Sequence, residues 1–106
     1  MQRICFRLQI DPDLLDRYRQ LHRDVWPEMR EALSKAGWHN YSLFLEPDGT
    51  LIGYLECEDF DLAKKMMEAT DVNKRWQASM SQFFKDLGAM APDQAMKPIE
   101  EIFHLP

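Results

Sequence analysis

Tyr18, His22 and Trp26 are spaced four residues apart. Four residues advance an α-helix by about 400°, so successive members of the set drift round its axis by only ~40°. A helix that continues through Trp26 therefore presents a phenol, an imidazole and an indole to one side. An imidazole with an ordinary pKa of about 6.5 can take or give a proton near neutrality. Beside a phenol and an apolar aromatic wall, it suits acid-base work on a small hydroxylated ring such as a sugar. The same stripe also suits a plain core, in which aromatic rings pack and the histidine is only hydrogen-bonded.

Pro27 bears on this choice. It lacks an N–H and biases Trp26 away from helical geometry, which predicts a break between Arg23 and Trp26. Just before such a break, unpaired carbonyls and the negative end of the helix dipole favour a protonated imidazole. His22 is thus expected to donate a proton near neutral pH.

Trp38, His39, Asn40 and Tyr41 form a second polar and aromatic cluster. Regular strand alternation would put His39 and Tyr41 on one face and Trp38 and Asn40 on the other, so one pair serves a given site. Trp76 lies on the apolar stripe of a later helix, where it can pack the core or offer its indole face to the C–H face of a sugar. Gln77, about 100° further round, can supply an amide hydrogen bond. Neighbours on a strand point to opposite sides, so Glu100 and Glu101 form no carboxylate dyad and read as a solvated edge. His104 and the seven methionines read as packing, and no His, Cys, Asp or Glu spacing assembles a metal site.

These residues need elements to hold them. Residues 3–10 alternate, with Ile4, Phe6, Leu8 and Ile10 on one face, and predict a half-buried first strand ending at Asp11-Pro12. Leu14, Tyr18, Leu21, His22 and Val25 follow helical spacing, and a second helical piece runs from Pro27 to a stop at Gly37. Residues 38–46 and 50–58 read as a hairpin around Glu46-Pro47-Asp48-Gly49. Phe60, Ala63, Met66 and Met67 mark a short helix. Val72, Trp76, Met80, Phe83, Phe84 and Leu87 mark a longer one. Residues 88–98 are a loop, and residues 99–105 predict a last strand. The order β-α-β-β-α-β is that of an α+β, ferredoxin-like fold with a four-stranded sheet carrying helices on one face. The other face, with Arg7, Tyr54 and Glu56 among apolar residues, suits a cavity or partner surface, so a homodimer is expected.

The whole chain, residues 1–106, fits one domain, and at this length roughly two-thirds of the unfolded surface can be buried without disulfide or metal staples. A net charge of -5, from 18 acidic and 13 basic residues with the basic ones scattered, offers no stripe for phosphates and argues against nucleic acid. Cys5 and Cys57 lack metal or redox spacing; one disulfide between two strands is geometrically possible, but two buried thiols acting as small apolar residues is the favoured reading. No apolar run reaches the ~20 residues of a membrane span, and no apolar signal core follows Met1, so the expected compartment is a reducing cytoplasm.

Taken in order, Tyr18-x3-His22-x3-Trp26-Pro27-Glu28, His39-Asn40-Tyr41, Arg75-Trp76 and the closing Phe103-His104-Leu105 resemble the L-rhamnose mutarotase family over essentially the whole chain. The resemblance implies a dimeric α+β barrel that interconverts the α and β anomers of L-rhamnose, a monosaccharide, without cofactor or metal. It implies His22 as proton donor, and Tyr18, Tyr41 and Trp76 as sugar-binding residues. One departure stands out: the family often has two consecutive tryptophans where this chain has Trp76-Gln77, which puts the identity of the sugar in question.

In mutarotation the ring oxygen gains a proton, the anomeric hydroxyl loses one, and the ring closes again on the other carbonyl face. Tyr18 or a pocket water is the candidate acceptor of the anomeric proton. Two other readings use the same scaffold: a cofactor-free monooxygenase acting on an aromatic substrate, and a dimeric small-molecule-binding module with no catalysis.

Overall fold

The computed structural model describes residues 1–106. Its strands are β1 (Gln2–Gln9), β2 (His39–Leu45) and β3 (Thr50–Cys57). Its helices are α1 (Leu15–His22), α2 (Pro27–Lys35), α3 (Phe60–Glu68) and α4 (Asp71–Met80). The sheet is antiparallel in the order β1-β3-β2, with β3 central. β1 pairs along all of β3, from Gln2 opposite Cys57 to Gln9 opposite Thr50. The arrangement is α+β and ferredoxin-like, as the alternation and turn signals imply.

Local chemistry explains the boundaries. The β2–β3 turn closes on Gly49, whose φ of 92° is open to glycine and whose N–H donates to the Glu46 carbonyl at 2.9 Å. The Asp48 carboxylate accepts from the Thr50 N–H at 2.9 Å. Asp59 and Thr70 cap α3 and α4 by accepting from the Leu62 and Asn73 N–H groups. The inward residues of β1 (Ile4, Phe6 and Leu8) and of β3 (Leu51, Gly53, Leu55 and Cys57) are buried against the helices. A side chain at Gly53 would collide with the ring of Phe6, which lies directly across from it in the sheet register. Cys5 and Cys57 are both free thiols, but of the two expected to be buried only Cys57 is; Cys5, on the outer face of the alternating β1, is half-buried.

Four expectations need correction. The fourth strand does not form: the Ile99 N–H donates to the Cys5 carbonyl at 2.7 Å and Pro98 bridges Phe6, after which the tail runs exposed. Running antiparallel from the Phe6–Pro98 bridge, residues 99–105 have only Cys5 back to Gln2 of β1 left to pair with, too short an edge for a seven-residue strand. The longer helix stops at Met80 rather than running to Leu87, because Phe84 is extended, at φ -96° and ψ 145°, to bridge Ile10 at the other end of the β1 edge, where the Lys85 N–H donates to the Gln9 carbonyl at 2.9 Å. His104 is exposed rather than packed, as are Met1, Met66 and Met90. Finally, the face assignment of residues 38–41 fails. The β2–β3 register shifts between His39 and Ser42, with Asn40 at φ 47°, so the bulge turns Trp38 and Tyr41 inward together and leaves His39 and Asn40 exposed.

Candidate active site

A cavity of about 490 Å³ lies between the inner sheet face and the helices, within the roughly 300–1,000 Å³ range of small-molecule sites. α1 supplies Tyr18 and His22, β2 supplies Tyr41, and α4 supplies Trp76 and Gln77; all line this cavity. The four residues expected to handle the sugar are therefore brought together. Most of the wall is apolar, with Phe6 and Leu8 of β1 among its members.

The aromatic stripe holds together for a different reason from the one its spacing suggests. The helix ends at His22, and Trp26 adopts φ -49° and ψ 130°, so no continuous helix carries all three residues. α4 rejoins them. Its Trp76 ring lies edge-on to His22 at 5.5 Å and to Trp26 at 5.0 Å between centroids. Tyr18 and His22, on α1 itself, stand 4.2 Å apart. Trp26 does not line the cavity; it backs Trp76, with the Arg75 guanidinium 5.9 Å from its ring and the Arg75–Glu28 pair linking α4 to α2.

His22 Nδ1 lies 2.9 Å from the Tyr18 carbonyl oxygen. A carbonyl only accepts, so Nδ1 carries the hydrogen and Nε2 keeps a free lone pair. The carbonyl at the helix end does favour the charged form, as the sequence suggests, but burial outweighs it and the His22 pKa falls below its usual 6.5. The resting imidazole at neutral pH is consequently neutral, which corrects the expectation of a histidine already protonated. Burial also pushes both cavity phenols upward, with Tyr18 and Asp93 adding to the effect on Tyr41. Tyr18 therefore stays protonated, and the structure does not support it as the base.

The sequence reading missed Asn73 and Asp93, which line the same cavity. Asn73 lies one turn before Gln77 on α4, a spacing that could have drawn attention to it. Asp93 sits in a short 3₁₀ turn (Pro92–Ala95) within the expected loop, where no periodicity signals an inward side chain. Gln77 spends its amide within the protein: Nε2 donates to Asn73 Oδ1 at 3.1 Å, and Oε1 accepts from the Asp93 N–H at 3.2 Å. No group of three or more His, Cys, Asp or Glu side chains is placed to hold a metal ion.

Fold and site together define a small α+β, ferredoxin-like protein with an aromatic pocket and a single imidazole in the pocket wall. The family model for L-rhamnose mutarotase matches residues 3–105. L-rhamnose mutarotases of Bacillus subtilis and Oceanobacillus iheyensis are 38% and 37% identical over 106 residues, covering 99% of each chain. The crystal structure of an L-rhamnose mutarotase from Formosa agariphila superposes with a TM-score of 0.78 over 100% of both chains at 21% identity. The chain belongs to the L-rhamnose mutarotase family.

Proposed function

We propose that this protein is an isomerase that interconverts the α and β anomers of L-rhamnose or a closely related monosaccharide, with His22 moving the proton. Family membership supports the reaction. The observation that carries the mechanism is the Nδ1–H bond from His22 to Tyr18, which leaves Nε2 free beside the cavity.

Nε2 of the neutral imidazole takes the proton of the anomeric hydroxyl. The O–H electron pair becomes the second bond of the aldehyde carbonyl as the bond from the anomeric carbon to the ring oxygen breaks. The electron pair of that broken bond stays on the ring oxygen, which receives the proton back from Nε2. Rotation of the aldehyde and the reverse sequence on the other carbonyl face complete the exchange. His22 is still the donor to the ring oxygen, and the sugar itself supplies the proton. Tyr18 and Tyr41 remain O–H groups that position hydroxyls, and Trp76 packs against the sugar's C–H face. No step requires a cofactor.

We further propose that the molecule works as a cytoplasmic homodimer. The sheet face turned away from the helices carries an exposed Phe44, and the tail past Pro98 exposes Ile102, Phe103 and Leu105, a set of apolar groups that a second copy would cover. No helix is long and apolar enough to cross a membrane.

Saturation-transfer NMR of equilibrating L-rhamnose anomers tests the catalytic reading. Wild type should accelerate exchange, and His22→Ala should lose about 10²- to 10⁴-fold of that acceleration. Equal exchange in the two proteins would remove His22 from the mechanism. A wild type that binds sugar without accelerating exchange would favour a binding module, and oxygen uptake on quinols would favour a monooxygenase.

A further inference from the structure

Asp93 is the only carboxylate lining the cavity. It is 8% exposed, and none of the ion pairs in the structure involves it. The nearly sealed Asn73, 3% exposed, donates from Nδ2 to Asp93 Oδ2 at 2.9 Å. Gln77 completes a closed ring of three residues by donating to Asn73 and accepting from the Asp93 backbone. The carboxylate is thereby fixed by its side chain and by its main chain at once.

Its other oxygen is not similarly satisfied. Oδ1 receives no hydrogen bond from the protein, yet no fully buried side-chain oxygen or nitrogen is left without a partner. Oδ1 is therefore accessible, on a residue that forms part of the cavity wall. An ionised carboxylate only accepts, and a buried one is costly unless donors surround it. The occupant that suits this position carries an O–H. Tyr41, one of the residues expected to bind the sugar, lines the same cavity.

We propose that Asp93 is a substrate-binding residue whose Oδ1 accepts a hydrogen bond from a hydroxyl of the bound sugar, and that Asn73 and Gln77 hold it for this contact. The identity of the ligand as a sugar rests on the mutarotase reading; the carboxylate geometry does not. Gln77 is central to the arrangement, because an indole at this position could donate but could not accept the Asp93 N–H. A sugar that offers hydrogen or methyl to Oδ1 strips water from the carboxylate and returns nothing. The contact therefore selects for one particular hydroxyl.

The test uses the isotope-labelled full chain with L-rhamnose and its mono-deoxy analogues. It follows the Asn73 side-chain amide and the Asp93 backbone amide during titration, with KM and kcat from anomer exchange. In wild type both amides should shift on sugar addition. Asp93→Asn should raise KM for L-rhamnose roughly tenfold or more, with kcat within about threefold and the pH profile unmoved. One mono-deoxy sugar should suffer the same loss in wild type and little further loss in Asp93→Asn, as coupling between that hydroxyl and Oδ1 requires. Asp93→Ser, checked by thermal melting, replaces Asp93→Asn if the latter does not fold. An unchanged KM, a fall in kcat alone, or equal losses on every deoxy sugar in both proteins would overturn the proposal. If wild type binds sugar without anomerising it and Asp93→Asn weakens that binding, the mutarotase reading fails and the Asp93 contact stands.

Discussion

The Nδ1 atom of His22 is tied to the carbonyl oxygen of Tyr18, one helical turn earlier, at 2.9 Å. This bond decides which imidazole nitrogen keeps a free lone pair, and burial favours its neutral form.

The pH dependence follows from the lowered His22 pKa. The proposed base is lost by protonation, so the acid limb of kcat/KM should have its midpoint below 6.5, and activity should be flat through neutrality. The raised phenols place no alkaline limb below their ordinary value of 10.0. Anomer exchange measured by NMR across the acid range checks this; a midpoint above 6.5 would contradict a buried neutral imidazole.

The same shift links to stability. Between the folded pKa and 6.5 the unfolded chain binds more protons at this position than the folded one, so stability rises with pH across that window. The contribution is fully present above 6.5 and is lost as pH falls through the folded pKa. Urea unfolding of wild type and His22→Gln over this range should show a shallower pH slope in the variant.

Trp76 joins two parts of the stripe that the helix break separates. Trp76→Ala should destabilise the fold by about 3–5 kcal/mol and weaken sugar binding. Trp76→Phe should keep most of the stability while raising KM. Chemical denaturation combined with exchange kinetics separates the two effects.

Gly53 and Phe6 share one position in the sheet. Because a methyl at Gly53 meets the Phe6 ring, which also lines the cavity, Gly53→Ala should cost about 1–3 kcal/mol through overpacking. Thermal melting should show a clear drop in Tm. Unchanged stability would mean that the Phe6 ring can shift at little cost.

The proposed dimer places Phe44 and the tail under a second copy. Phe44→Lys should shift the mass found by light scattering from two chains to one at micromolar concentration. A wild type that is already monomeric there would refute the assembly.

Much of the architecture was legible because it depends on neighbours in the chain. Pro27 ends α1 by removing an N–H, Gly49 permits the hairpin, and alternation in residues 3–10 marks the inward face of β1. The absent fourth strand was not legible, since its apolar pattern does not reveal that it meets β1 at Phe6 and Cys5, with only the few residues back to Gln2 left to pair with. The inward turn of Trp38 with Tyr41 depends on a bulge, which breaks the alternation that sequence reading assumes.

By itself, the sequence determined the placement of Tyr18 and His22 on one face of a short helix, the break that follows them, and membership in a family built on that pattern. These are short-range consequences of helical geometry and of residue chemistry. Only the tertiary structure decided that Trp76 completes the stripe, that His22 rests neutral, and that Asp93 enters the same cavity. Those outcomes depend on desolvation and on contacts between residues far apart in the chain, and no local spacing encodes them.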